Sequence, residues 1–256
     1  NVFIFQECIQ LATILIEQGQ NSDATKVLEL LENAYSTYED EAVFAQMQRE
    51  LNTLQKRNSL PGQEWKLAAN TIDGKKFDWT QLKGKVVVVD FWATWCAPCL
   101  AAMPHMEQVY EQFKSKGVVF VGFSMDTDRD QLDNFLANRQ LKWPVILDPV
   151  SAEDPWEIPA ALECGITSIP CMVLVGKDGK IIKHLQNSSI LALELQKILD
   201  TEADAGDTEN PSESDTNEAP AESTGANAFI PAKLLPILSL YAQADDATPK
   251  QQNPYL

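Results

Sequence analysis

Apolar side chains recur every three or four residues along the first part of the chain, a spacing that predicts helices. The pattern indicates three of them. The first ends before Gly19, and Ser22 or Asp23 caps the second. The third spans about residues 40–56 and carries a short seam of the coiled-coil type, formed by Phe44, Met47, Leu51 and Leu54. Residues 1–58 therefore form a helical region, either a small hairpin that packs on itself or on the next domain, or a module for dimerisation or partner docking.

Between residues 60 and 200 the pattern changes to strands that alternate with helices. Residues 85–91 form a nearly continuous β-branched run, as expected of a strand buried on both faces of a mixed or parallel sheet. A strong hairpin turn signal at residues 176–179 separates the last two strands. The predicted strands are 85–91, 118–124, 143–147, 171–175 and 180–184, and the predicted helices are 99–114, 130–138 and 190–199. This order predicts an α/β sandwich with a central mixed sheet.

The end of the chain has a different composition. Residues 201–226 contain eight acidic and no basic residues, almost half of the net charge of −17, and almost no large apolar side chain. Such a segment cannot bury enough apolar surface to offset the entropy lost on ordering, so we expect a disordered acidic linker. Residues 227–256 bring back Phe, Ile, Leu and Tyr, and we expect a short apolar tail.

Composition also excludes several classes of function. Lys and Arg do not cluster anywhere, so nucleic acid is not an expected partner. No run reaches the roughly 18 to 20 apolar residues needed to span a bilayer, and we expect the chain as given to be soluble. Five cysteines are too few and too unevenly spaced for a disulfide scaffold.

One cysteine pair has a spacing with chemical meaning, in Cys96-Ala97-Pro98-Cys99. Thiol-disulfide exchange needs an attacking thiolate and a second thiol that displaces the mixed disulfide. A thiol at the start of a helix is acidified by the unpaired N–H groups and the dipole, which predicts Cys96 as the nucleophile. Cys99, one turn deeper, is then the resolving cysteine. No second close pair completes four zinc ligands, so we expect no metal.

The stretch from Val89 to Cys99 resembles the active-site strand and helix of the thioredoxin superfamily, with Trp95 before the nucleophile and Pro104 eight residues after it. Residues 168–170, Ser-Ile-Pro, are similar to the cis-proline loop of that family. Further segments resemble its TlpA/ResA branch of extracytoplasmic thioredoxins, namely Leu82-Lys83-Gly84-Lys85, Met103-Pro104-His105 and Gly117-Val118. The resemblance covers about residues 60–200.

This resemblance implies a thioredoxin-like three-layer sandwich and a thiol-disulfide oxidoreductase that exchanges disulfides with protein cysteines. We expect it to act as a reductant, but Ala97-Pro98 alone does not fix the direction, which depends on how strongly the Cys96 thiolate is stabilised. The resemblance implies no cofactor beyond the Cys96–Cys99 disulfide, an upstream thiol as electron donor, and a periplasmic or otherwise extracytoplasmic location, including anchoring through a segment outside this chain. The implied substrate-binding residues are Trp95, Ala97, Pro98, Ile169 and Pro170.

Asp90 stands in an otherwise apolar strand, six residues before Cys96. Burial would raise the pKa of its carboxyl and let it accept the proton of Cys99 through a water molecule. An exposed carboxylate at the end of the strand is the alternative. Many chains of the TlpA/ResA branch place a Glu three residues after the second cysteine, but Ala102 stands there, which moves the proton-acceptor role to Asp90.

Other interpretations stay open at this point. Cys171 directly follows Pro170, and Cys164 lies seven residues earlier, so either thiol could approach the active site or simply fill the core. A thiol peroxidase is a second hypothesis for the function, although the Pro-x-x-x-Thr-x-x-Cys arrangement is missing around Cys96. A scaffold or binding module with a vestigial redox site is a third.

Overall fold

The computed structural model describes residues 2–36, 38–150 and 152–206 of the chain. The apolar tail predicted for residues 227–256, and the predicted acidic linker beyond residue 206, lie outside the described residues.

Three helices form the N-terminal region: α1 (Val2–Glu17), α2 (Asn21–Ala34) and α3 (Glu41–Ser59). They bury a shared apolar core that includes Phe5, Leu28, Leu31, Met47, Leu51 and Leu54. Three of the four residues of the predicted coiled-coil seam, Met47, Leu51 and Leu54, thus pack against helices of the same chain. Asp40 caps α3, since its carboxylate accepts the backbone N–H groups of Ala42 and Val43.

The predicted caps of α2 were wrong. The helix begins at Asn21, after Gln20, whose side chain makes no capping hydrogen bond. The reason is the tight turn at Gly19, which has a φ of 76°. The N–H of Gln20 donates back to the carbonyl oxygen of Leu15 at 2.8 Å. The chain therefore re-enters helical geometry before Ser22 and Asp23, and both of these residues lie inside the first turn.

The rest of the described chain builds one six-stranded mixed sheet in the order β1-β4-β3-β2-β5-β6. Its strands are β1 (Asn70–Thr71), β2 (Val86–Trp92), β3 (Val118–Ser124), β4 (Val145–Leu147), β5 (Cys171–Val175) and β6 (Ile181–Leu185), and its helices are α4 (Ala97–Phe113), α5 (Arg129–Asn138), α6 (Pro159–Glu163) and α7 (Leu191–Gly206). β2, β3 and β4 run parallel, and the other pairings are antiparallel. The predicted α/β sandwich is confirmed.

β2 lies at the centre of this sheet and is buried along its whole length. Val87, Val89 and Phe91 face one apolar core. Val86 and Val88 face a second core, to which α4 and α7 contribute apolar side chains. Burial on both faces explains the continuous β-branched run in the sequence, because neither face of the strand meets water.

Several elements differ from the sequence-based expectation. β1 has two residues and α6 has five, so neither is long enough to show a periodic pattern. α7 continues to Gly206, past its predicted end and into the segment predicted to be a disordered linker. Residues 202–205, Glu-Ala-Asp-Ala, contain good helix formers, and helix propensity explains the extension despite the acidic composition.

The N-terminal helices dock on the sheet through the end of α3. Arg57 is almost completely buried, with 1% of its surface exposed, and its Nη2 lies 3.7 Å from Oε1 of Glu17. Gly165, after α6, packs against this position so closely that an added Cβ would lie 3.0 Å from the backbone nitrogen of Arg57. The N–H of Ile181 in β6 donates to the carbonyl oxygen of Gln63, which extends the junction along the sheet edge.

We expect Gly165→Ala to destabilise the protein by about 2–4 kcal/mol, because alanine is strained at the φ of 62° and its Cβ would collide with α3. Urea unfolding of the oxidised protein measures this loss. Gly179→Ala is the matched control, since Gly179 also has a positive φ but an added Cβ meets nothing within 4 Å. Equal losses in the two variants would show that close packing at the junction contributes nothing.

Candidate active site

The active-site cysteines lie where β2 passes into α4. Cys96 is the N-cap residue of α4, and its Sγ accepts the backbone N–H of Cys99 at 3.2 Å. The two residues form a disulfide, and each is 4% exposed. Pro98 occupies the first turn, where its missing N–H removes no intrahelical hydrogen bond. One free N–H group of the first turn of α4, that of Cys99, therefore points at the sulfur predicted to be the nucleophile.

The loop before Cys96 is held by the carboxylate of Asp126, which lies two residues after the end of β3. Asp126 accepts the backbone N–H of Thr94 at 3.1 Å and the Thr94 hydroxyl at 2.5 Å. It also accepts the Ser124 hydroxyl at 2.9 Å. Sequence reasoning missed Asp126. The parallel register of Trp92 with Ser124 could have located it, because the two strands end at the same edge of the sheet.

Asp90 occupies an interior position of β2, paired with Gly122 of β3 and Met172 of β5. Its side chain is buried, with 6% of the residue exposed, so the alternative of an exposed carboxylate at the strand end does not hold. Burial raises the pKa of Asp90 from its ordinary value of 3.8 to about 7. Among the described residues no hydrogen bond or ion pair stabilises the ionised carboxylate, which explains the size of this shift.

The other predicted site residues lie in two segments, the active-site loop with the start of α4, and the residues directly before β5. Ala97 and Pro98 are exposed beside it, and Trp95 is 45% exposed. The Ile169-Pro170 peptide bond is cis, and both residues are half-buried. β5 begins directly afterwards, with Cys171 opposite Phe91. This register puts the Ile169-Pro170 segment at the edge of the sheet from which the active-site loop leaves β2.

Trp156 also reaches this region, although nothing in the sequence pattern singled it out. Its ring packs edge-on against that of Trp95, with 6.3 Å between the centroids and an interplanar angle of 75°. Trp156 belongs to a short 3₁₀ turn, Pro155–Glu157, whose cap Asp154 accepts the Trp156 N–H at 2.9 Å.

Comparison with known proteins assigns the family. Residues 55–198, more than half of the chain, match the Redoxin family. The chain belongs to the Redoxin family. It is 35% identical over 130 residues to a thiol-disulfide oxidoreductase ResA of Bacillus cereus, a match that covers 50% of this chain and 71% of that relative. To ResA of Bacillus subtilis it is 32% identical over 112 residues, covering 43% of this chain and 58% of that protein.

Among solved structures, this Redoxin-family chain resembles a thiol:disulfide interchange protein of the thioredoxin family from Chlorobium tepidum TLS. The TM-score is 0.42 at 26% sequence identity, and the match covers 52% of this chain and 92% of the other. The family assignment and the Cys96–Cys99 disulfide together confirm the predicted relationship to TlpA/ResA-like thiol-disulfide oxidoreductases.

Cys164 and Cys171 of this Redoxin-family protein are free thiols, and both are buried. Cys171 is 1% exposed and Cys164 is 4% exposed. Burial raises the pKa of Cys171 to about 11 and also raises the pKa of Cys164. Both thiols therefore stay protonated near neutral pH, which favours the interpretation that they fill the core.

Two further observations concern the described part of this Redoxin-family chain. No group of three or more His, Cys, Asp or Glu side chains there is arranged to hold a metal ion. No helix there combines the length and the apolar character that crossing a bilayer requires.

We expect Asp126→Ala to slow disulfide exchange by about tenfold, because the loop that carries Cys96 loses its hydrogen bonds to the segment after β3. Thr94→Val keeps the backbone bond and removes only the hydroxyl bond, so a smaller loss is expected. Stopped-flow reduction of a peptide disulfide measures both rates, and thermal unfolding checks that the variants remain folded. A folded Asp126→Ala variant with the wild-type rate would contradict this positioning role.

Proposed function

We propose that this thiol-disulfide oxidoreductase reduces disulfides in protein substrates, with Cys96 as the nucleophile and Cys99 as the resolving cysteine. The observation that carries the proposal is the position of Cys96. Its sulfur caps the N-terminus of α4, accepts the N–H of Cys99, and is bonded to the Cys99 sulfur one turn further on.

In the reduced protein the Cys96 thiolate attacks one sulfur of the substrate disulfide. A mixed disulfide forms, and the other substrate sulfur leaves as a thiolate. The Cys99 thiol then loses its proton and attacks the Cys96 sulfur, which releases the second substrate thiol and leaves the Cys96–Cys99 disulfide. An upstream thiol donor returns the pair to its reduced form, so electrons pass from that donor to the substrate.

We propose Asp90 as the group that accepts the Cys99 proton through a water molecule. A general base works best when its pKa lies near the working pH, and burial brings the pKa of Asp90 to about 7. Ala102 occupies the place where many related chains carry a Glu. Asp90 is the buried carboxylate of β2, two residues before the strand ends and the active-site loop begins.

Substrate contacts are proposed for the residues that surround the disulfide. The exposed side chains of Trp95, Ala97 and Pro98 offer an apolar surface next to Cys96. The Ile169-Pro170 segment, which directly precedes β5, is proposed as the opposite rim. An extracytoplasmic location is also proposed, on the strength of the likeness to the TlpA/ResA branch. Compartments outside the cytoplasm are where protein disulfides form and persist.

Redox titration of the Cys96–Cys99 pair against glutathione tests the direction of transfer. A reductant is expected to have a potential near that of thioredoxin, about −270 mV. A potential near about −120 mV, as in strongly oxidising proteins, would reverse the direction. A pair that does not cycle between disulfide and dithiol would refute the proposed function itself.

A further inference from the structure

We infer that this protein docks a cationic segment of its disulfide substrate on an aromatic ledge beside Cys96, formed by Trp95 and Trp156. The inference deepens the proposed function and rests on it, because the ledge has a role only if Cys96 attacks a disulfide in another polypeptide.

The two rings pack against each other beside the nucleophile. Trp95 directly precedes the nucleophile and is 45% exposed, which is unusual for so large an apolar side chain. Trp156 supports it in an edge-to-face contact and packs in turn against the apolar core of the sheet. A rigid pair of indoles offers large contact area with little loss of side-chain entropy on binding.

The segment that carries Trp156 is acidic. Residues 143–176 contain five acidic residues and no Lys or Arg. Three of the five, Glu153, Asp154 and Glu157, flank Trp156 and are exposed. Residues 86–113, which carry the active-site cysteines, also contain no Lys or Arg. A cationic segment would therefore be attracted to the three exposed carboxylates around Trp156, and an acidic segment would be repelled.

The first basic side chain after β3 is that of Arg129, at the start of α5, and it does not offset these carboxylates. Arg129 donates through Nε to Asp133 at 2.8 Å and through Nη2 to the carbonyl oxygen of Ile72. Its guanidinium is thus directed toward its own helix and toward the segment at β1. Indole faces add a second attraction, because Lys and Arg bind them through cation–π contacts.

The test compares two peptide disulfides of equal length, one with Lys and one with Glu on both sides of each cysteine. Stopped-flow kinetics of the reduced full chain give kcat/KM for each peptide. We expect the Lys peptide to be preferred by about tenfold or more at low ionic strength, and the preference to shrink as salt is added. Hydroxyethyl disulfide, which is small and uncharged, reports thiol exchange alone.

Two sets of variants locate the effect. The double variant Glu153→Gln/Glu157→Gln is expected to reduce the preference for the Lys peptide several-fold. Glu7→Gln/Glu29→Gln removes the same charge from exposed positions on α1 and α2 and is expected to leave the preference unchanged. Trp156→Ala is expected to lower kcat/KM for the Lys peptide more than for the Glu peptide, and Trp156→Phe to recover part of that difference.

The outcomes separate this inference from the proposed function. Equal rates for the two peptides, or the same shift in both double variants, would overturn the docking of a cationic segment while leaving disulfide exchange intact. If the wild-type protein did not exchange with hydroxyethyl disulfide at all, both the proposed function and this inference would be overturned.

Discussion

Cys96→Ser will lower disulfide exchange to the uncatalysed background, a loss of more than about 10⁴-fold on the scale seen when a nucleophile is removed. A serine hydroxyl is not ionised at neutral pH and forms no disulfide, so the first step of the reaction is lost. Cys99→Ser will behave differently, because Cys96 still attacks but no neighbouring thiol displaces the product. Mass spectrometry of the Cys99→Ser variant is therefore expected to show a stable mixed disulfide with the substrate.

Cys8→Ala is the matched control for these cysteine variants. Cys8 is a free thiol buried among the N-terminal helices, and its removal is expected to leave the exchange rate unchanged. Exchange by Cys96→Ser at the wild-type rate would show that another thiol reacts. The double variant Cys96→Ser/Cys99→Ser tests the scaffold hypothesis, which requires the biological role to persist without either thiol.

Asp90→Asn will slow the resolving step by about 100-fold at pH 8, since the amide cannot accept the proton of Cys99. In the proposed mechanism the carboxyl accepts this proton only when ionised, and burial raises its pKa to about 7. The wild-type rate should therefore rise about tenfold per pH unit below pH 7 and level off above it. Quenched-flow measurement of the lifetime of the mixed disulfide checks both expectations, and the variant should lack this rise.

The same substitution should stabilise the fold, and the sign follows from the direction of the pKa shift. Between pH 4 and pH 7 the folded protein keeps a proton on Asp90 that the unfolded chain releases. As the pH rises from 4 to 7, the free energy of unfolding of the wild type therefore falls relative to that of Asp90→Asn. Above pH 7 the difference between the two proteins no longer grows. Because burial raises the pKa of Asp90 by about three units, the wild type is expected to lose on the order of 4 kcal/mol of unfolding free energy over this range.

Urea unfolding of the oxidised wild type and the Asp90→Asn variant at pH 4 and pH 8 measures this difference. A variant that is more stable at pH 8 but slower in resolution would support a catalytic role for the carboxyl. A variant that loses both stability and rate would instead indicate a structural role. A wild-type rate that is independent of pH below 7 would remove Asp90 as the proton acceptor.

The sequence allowed prediction of the features set by local pattern. The buried run in β2, the helix after Cys96 and the hairpin between β5 and β6 are all encoded by neighbouring residues. Asp126, Trp156 and Arg57 were not predictable in this way, because their contacts depend on how distant segments come together. The hydrogen bonds from Thr94 to Asp126 span 32 residues of sequence, and the ring contact between Trp95 and Trp156 spans 61.

A similar limit applies to helix ends. Ser22 and Asp23 are favourable capping residues, yet the tight turn at Gly19 starts α2 before either of them. The role proposed for Asp90 depends on burial from both sides of the sheet, which the apolar run of β2 indicated in advance. Local sequence thus predicted the environment of this carboxylate better than it predicted where α2 starts.

The close packing of buried Arg57 against Gly165 affects how a fragment of this protein should be designed. The Redoxin match starts at residue 55, which lies inside α3. A fragment cut there would keep Arg57 but lose Glu17, the carboxylate closest to its guanidinium. It would also expose the sheet edge that the N-terminal helices cover. Recombinant work on the redox centre should therefore retain all three helices.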